Sequence, residues 1–258
     1  MGAGPLSQSQ SEQYQGRSVR NVSQPEHRLG IVTGLVFEAD IIRATAVGQH
    51  TAPPFVACAG PGTDRARHAA EDLIAQGVTH LLSFGIAAGL DVAVEAGAAI
   101  IAAGFRRPGA PEMASDPAWT DRLMRALPGV RTGFIADSRQ ILVTGDQKAE
   151  LRVATAAIVA DMESYGIAQA AATAGVPCAA LRVVSDGAMQ GLPAAVRAGA
   201  NPDGTVNIGA VLAALLKAPG QLPALVRVGR GTGIARGRLR ALADVGLARG
   251  FFAVAVDE

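Results

Sequence analysis

The segment DMESYGIAQAAATAGVPCAALRVVSD, Asp161 to Asp186, decides how the rest of the chain is read. Asp161 can accept the free N–H groups at a helix start, and an Ala-rich helix from Glu163 to Ala174 is expected behind it. Gly175 ends that helix, and Pro177 opens a run from Cys178 to Val184 that is apolar except for Arg182. A strand apolar on both faces belongs to a sheet covered by helices on both sides. The run leads into the carboxylate of Asp186. In open α/β sheets ligands bind beyond the carboxyl ends of the strands, so acids at several strand ends converge on one pocket. Glu163 follows a strand expected at Ala156–Ala160, and Glu38 is expected to close a first strand at Leu29–Leu35, so both join Asp186 in that set.

From Leu29 onward short β-rich runs alternate with helical patterns. This predicts a single α/β domain with a mixed, mostly parallel central sheet flanked by helices. Further strands are expected at Phe55–Ala59, Thr79–Phe84, Ala98–Phe105 and Arg131–Ala136, with Gly85-Ile86-Ala87-Ala88-Gly89 as a turn. Helices are expected after Thr63-Asp64, where Ala66, Ala69, Ala70, Leu73 and Ile74 share a face, and from Pro117 to Leu127 behind an Asp116 cap. Asp146 is expected to cap a short helix carrying Leu151 and Val153. Residues 187–204 read as irregular. A helix then follows with Ile208, Val211, Leu212, Leu215 and Leu216 on one face. The segment Leu225–Leu247 sets Arg227, Arg230, Arg236, Arg238 and Arg240 against one acid, Asp244. The chain accordingly divides into a disordered leader at 1–28, the α/β domain at 29–206 and a helical C-terminal extension at 207–258.

Composition narrows the function. The 258 residues carry a formal charge of +1 and only 4% aromatics, which gives neither a phosphate-binding surface nor a base-stacking platform, so no nucleic acid is expected as a partner. No run of about 18 apolar residues is present, so no membrane span is expected. Cys58 and Cys178 lie in apolar strand-like runs and are expected as buried free thiols. His27, His50, His68 and His80 share no ligand spacing, so neither a metal nor another cofactor is expected. GxGxxG is missing at the first strand-to-helix turn, and Gly229-Arg230-Gly231-Thr232-Gly233 follows no convincing strand, which argues against a dinucleotide enzyme.

Asp161-Met162-Glu163-Ser164, then Gly175-Val176-Pro177, then Leu181-Arg182-Val183-Val184-Ser185-Asp186 resembles the nucleoside phosphorylase and nucleosidase superfamily. Upstream, Gly30-Ile31-Val32-Thr33-Gly34-Leu35-Val36-Phe37-Glu38 and Ser83-Phe84-Gly85-Ile86-Ala87-Ala88-Gly89-Leu90 resemble its methylthioadenosine/S-adenosylhomocysteine nucleosidase branch. The resemblance implies cleavage of the N-glycosidic bond of a 5′-substituted adenosine. Asp186 is implied as the acid that protonates N7 of the purine, and Glu163 as the holder of the ribose hydroxyls, with Met162 beside the sugar. Ser185 and Arg182 are implied as supports of Asp186, Gly85 and Ala87 as part of the substrate site, and Ile141 and Leu142 as an apolar clamp on the base.

Leu192-Pro193, Asn201-Pro202-Asp203-Gly204 and the segment Lys217–Leu225 are similar to the hopanoid-biosynthesis group of that superfamily. This similarity implies adenosylhopane as substrate, with methylthioadenosine/S-adenosylhomocysteine cleavage or a non-catalytic nucleoside-binding module as alternatives. The nucleophile stays open. Glu38 matches a water-activating glutamate, whereas phosphorolysis needs inorganic phosphate as co-substrate, with Arg65 at a helix N-terminus as its candidate holder. A lipid-linked nucleoside would bring the basic segment Arg227–Arg240 to a membrane surface. The resemblance also implies a homo-oligomer, and a cytoplasmic location, peripheral at the inner membrane face, is expected.

Overall fold

The computed structural model describes residues 1–2, 28–47, 53–199, 201, 203–205 and 207–248. Most of the leader, the end of the extension at 249–258, His27 and His50 lie outside the described residues, as do the side chains of Ile208, Leu212 and Leu215. The strands are β1 (Leu29–Thr33), β2 (Phe55–Cys58), β3 (His80–Gly89), β4 (Ala99–Arg106), β5 (Met113–Ala114), β6 (Val130–Asp137), β7 (Val159–Asp161) and β8 (Cys178–Asp186). They form one mixed sheet in the order β2-β1-β3-β7-β6-β4-β5, and β8 pairs with both β3 and β4. Strands β3, β8, β4, β6 and β7 thereby close into a ring.

Every residue of β8 is buried. Its alternation explains the continuous apolar run. Cys178, Ala180 and Val184 pack into one core with helices α2 (Thr63–Ala75) and α5 (Ser164–Ala174). Ala179, Leu181 and Val183 pack into a second core with α1 (Val36–Ala46), α3 (Pro117–Ala126) and α8 (Leu222–Ala248). Each buried Leu or Val contributes about 1.5–3 kcal/mol, so β8 anchors both sides of the sheet at once. A bulge interrupts it at the functional end: Ala87 pairs with Val184 but Ala88 with Asp186, which leaves Ser185 as the extra residue.

Several expectations change. Strand β1 stops at Thr33, so Glu38 sits in the first turn of α1 and not on a strand, where its side chain accepts from Leu35 N and its own N–H donates to the Leu35 carbonyl. The glycines expected as a turn lie inside β3. An added Cβ at Gly85 would meet Arg182 Nη1 and come within 2.5 Å of Glu38 Oε1, so this glycine serves close approach and not chain reversal. Helix α4 (Gly145–Thr155) is capped by Thr144, whose hydroxyl accepts from Gln147 N at 3.2 Å, while Asp146 falls in its first turn. Ala156, expected to open a strand, is the left-handed C-cap of α4 at φ 53°. Cys58 is half-buried because β2 is an edge strand, whereas burial pushes the Cys178 thiol up to about 12, with Asp116 adding to it.

Helix α6 (Ala194–Gly199) occupies part of the stretch expected to be irregular, and α7 (Ile208–Lys217) follows, ending with an exposed Leu216. The C-terminal extension is integral to the core. Ala235, Leu239, Leu242, Ala243 and Leu247 of α8 are buried in the second core. Gly231, within a long helix where glycine costs about 1 kcal/mol relative to Ala, brings α8 directly onto the Ser185 carbonyl oxygen. Arg236 lies over the Phe37 ring, and Arg238 donates to the Pro128 carbonyl.

Candidate active site

Beyond the ends of β3, β7 and β8 lies a cavity of about 240 Å³. Four carboxylates line it: Glu38, Asp161, Glu163 and Asp186. Ile86, Ala87, Ile141, Leu142, Met162, Leu192 and Val196 make its walls largely apolar, with Ser138, Gln140 and Ser185 as further polar groups. Among the described residues no Arg, Lys or His lines it.

Glu38 is 2% exposed and its carboxylate accepts three hydrogen bonds from backbone N–H groups. Oε2 accepts from Gly34 N at 3.0 Å and Leu35 N at 2.8 Å, and Oε1 accepts from Ile86 N at 2.8 Å. Burial pushes its carboxyl above the ordinary carboxylate range, against the pull of Arg182 and those three N–H donors. The α1 cap thus aims one acid at β3.

Asp161 performs the expected capping, accepting from Glu163 N at 3.2 Å and Ser164 N at 3.1 Å. It has a second role the sequence did not indicate: Arg182 Nε donates to its Oδ2 at 2.5 Å. Arg182 is fully buried and also donates to Ser83 Oγ at 2.6 Å and Ser164 Oγ at 3.1 Å, and its Nη2 stands 3.6 Å from Glu163 Oε2. Burial works against the guanidinium charge, but Asp161, Glu163 and Glu38 outweigh it and hold Arg182 above its ordinary value. One guanidinium therefore serves three carboxylates. Glu163 is the least compensated of them: burial, with Asp161 and Glu38 adding to it against Arg182, pushes it up to about 8. Gly34 lies against it, since an added Cβ would fall 2.7 Å from Glu163 Oε1.

Asp186 receives Ser185 Oγ on Oδ1 at 2.7 Å, as expected of a supporting serine. Arg182 does not support it. The bulge at Ser185 breaks the alternation between positions 182 and 186, and the guanidinium turns to Asp161 instead. The cation on Asp186 is Lys148, whose Nζ donates to Oδ2 at 2.5 Å. Lys148 escaped the sequence reading because a lysine in a polar helix looks solvent-facing. Its one available signal was rarity, since Lys148 and Lys217 are the two lysines of the chain.

Of the expected site residues, Glu38, Ala87, Ile141, Leu142, Met162, Glu163, Ser185 and Asp186 line the cavity together. Gly85 and Arg182 stand behind the acids. Arg65 is exposed and donates to the Pro61 carbonyl at 3.1 Å, outside the cavity lining. A neighbouring cavity of about 390 Å³ shares Ser138, Gln140 and Leu142 and carries Arg107 and Arg139. Arg107 is held there by Asp137 Oδ2 at 2.8 Å. Among the described residues no cluster of three or more His, Cys, Asp or Glu could hold a metal ion.

The fold is shared with several solved nucleosidases. S-adenosylhomocysteine nucleosidase of Streptococcus pyogenes in complex with 5-methylthiotubericidin superposes with a TM-score of 0.66 at 15% identity, over 88% of this chain and 98% of that one. Methylthioadenosine/S-adenosylhomocysteine nucleosidase of Neisseria meningitidis in complex with methylthio-immucillin-A gives 0.64 at 15% identity, over 85% and 98%. Futalosine hydrolase of Helicobacter pylori gives 0.63 at 16% identity, over 84% and 97%. No curated protein matches the chain by sequence. The model of the phosphorylase superfamily matches residues 40–218, most of the chain and all the cavity acids except Glu38, and the protein belongs to that superfamily.

Proposed function

We propose that the protein hydrolyses the N-glycosidic bond of a 5′-substituted adenosine and releases adenine. The observation that carries this reading is the cavity itself, with four carboxylates, apolar walls and, among the described residues, no Arg, Lys or His in its lining. Cleavage builds positive charge on the ribosyl ring and negative charge on the base. Asp186 gives its proton to N7, so the base leaves neutral, a contribution on the order of 10² to 10⁴ in rate. Glu163 accepts the two ribose hydroxyls. Those donors favour its ionised form as the ring becomes cationic, and the carboxylate then stabilises the transition state. Glu38, held by three backbone amides, takes a proton from the attacking water.

Phosphate would meet four acids. Arg65 is turned to Pro61 and Arg107 to Asp137, so neither supports an anion site in this cavity. Water is accordingly the proposed nucleophile.

The neighbours' bound nucleoside analogues support an adenosine head, and the similarity of the tail to the hopanoid group supports adenosylhopane as the substrate. A cavity of about 240 Å³ is smaller than the 300–1,000 Å³ of typical ligand pockets, so a bulky 5′ substituent would leave through the mouth. Exposed Leu216, Leu222 and Val226, in the same segment as Lys217, Arg227 and Arg230, would meet an anionic lipid surface. Among the described residues no helix is long and apolar enough to cross a membrane. A homo-oligomer in the cytoplasm, peripheral at the inner membrane face, completes the proposal. The test is adenine release from methylthioadenosine, adenosine and adenosylhopane, each with and without phosphate. Turnover that requires phosphate would refute the hydrolytic reading, and no adenine from any of the three would refute the enzyme.

A further inference from the structure

We infer that Lys148 is the positioning residue of the general acid, fixing Asp186 and supplying the positive charge that its carboxylate meets once the proton has gone to the purine. The inference rests on the reading of Asp186 as proton donor. Lys148 is fully buried in the first turn of α4. Its ammonium donates to Asp186 Oδ2 at 2.5 Å, Gly187 O at 2.8 Å and Gln190 O at 2.9 Å, so three donors meet three acceptors with none to spare. It is absent from the cavity lining, and acts through Asp186.

Stability alone gives little reason for this arrangement. A buried ion pair is often no better than apolar residues of the same volume, and a cation near a helix N-terminus opposes the helix dipole. The residue type also carries meaning: 23 positions of the chain are Lys or Arg, yet only Lys148 and Lys217 are lysines. A compact ammonium reaches three convergent acceptors, which a planar guanidinium fork does not.

The chemistry gives the pair a task. The Asp186 carboxyl proton moves to N7, the C1′–N9 bond breaks with its electron pair passing to the base, and neutral adenine leaves. A carboxylate remains on Asp186, where the ammonium and the Ser185 hydroxyl already point. Donors aimed in advance at developing charge need no reorganisation during the step.

The experiment compares Lys148→Met, Lys148→Gln and Asp186→Asn on two probes. The first is whichever of methylthioadenosine and adenosylhopane the enzyme cleaves. The second is 4-nitrophenyl β-ribofuranoside, whose leaving group departs without a proton. Both Lys148 variants are expected to lose about 10²-fold in kcat for adenine release, with KM little changed, and to keep the wild-type rate on the nitrophenyl riboside. Equal loss on both probes, or no loss on either, overturns the inference; so does failure of both Lys148 variants to fold, because Lys148 would then be structural. Asp186→Asn separates the two readings: if it retains adenine release, the acid assignment fails, and if it alone loses release, only the role of Lys148 fails.

Discussion

Replacing Arg182 with Met tests the electrostatic account of the site most directly. The guanidinium is fully buried and faces Asp161, Glu163 and Glu38, which are 6%, 6% and 2% exposed. Removing one partner of a buried pair typically costs about 3–5 kcal/mol. For a chain of this size about 2–4 °C of Tm is lost per kcal/mol, so the expected drop near pH 8 is roughly 6–20 °C. The loss depends on pH with a definite sign. Without the guanidinium the buried acids fold as neutral carboxyls, and protonating an ordinary carboxyl costs about 1.4 kcal/mol per pH unit above its usual range. At pH 5 that is about 1 kcal/mol for each carboxyl, against about 5 at pH 8, so the variant's deficit should shrink several-fold between pH 8 and pH 5. Urea denaturation of both proteins at the two pH values measures it. An equal deficit at both, or one below about 1 kcal/mol at pH 8, would show that Arg182 is not what holds the three acids.

The wild-type protein carries a related dependence. Glu163 is raised from 4.5 to about 8, so its contribution to stability is complete below about 4.5 and is lost as pH rises towards 8, at up to about 1.4 kcal/mol per unit. Glu163→Gln should flatten that slope, and a Tm series from pH 5 to 9 that leaves the slope unchanged would assign it elsewhere. In α8, Gly231→Ala drives a Cβ into the Ser185 carbonyl and should destabilise by about 1–3 kcal/mol while lowering adenine release. Gly233→Ala and Gly237→Ala in the same helix meet open space and should stabilise by about 0.5–1 kcal/mol. If all three behaved alike in thermal denaturation, the seating of α8 on β8 would be wrong.

Much of the site was legible because it is built on strand ends and caps, whose signals are local. Asp161, Glu163 and Asp186 bracket one helix and one strand, and a helix start, a C-terminal glycine and an apolar run can each be read within a few residues. Glu38 was legible as a site residue but not as a helical one, because the N–H groups of Gly34 and Leu35, which turn the chain there, are taken up by the Glu38 side chain itself. The glycines of β3 misled for a similar reason. Glycine signals a turn locally, and the reason for Gly85 lies in two side chains that arrive from α1 and β8.

The sequence by itself determined the α/β class, the order of most elements and the acids of the pocket, since periodicity, caps and apolar runs act over one or two turns of chain. Only the tertiary structure decided which cation serves which acid. Arg182 and Asp186 are four residues apart on one strand, yet the bulge at Ser185 sends the arginine to Asp161 and leaves the aspartate to Lys148, thirty-eight residues upstream. It also decided that α8 belongs to the core, because the contact of Gly231 with Ser185 joins segments that share no local pattern. Charge pairing and close packing depend on distances between distant segments, and those distances exist only once the sheet has closed.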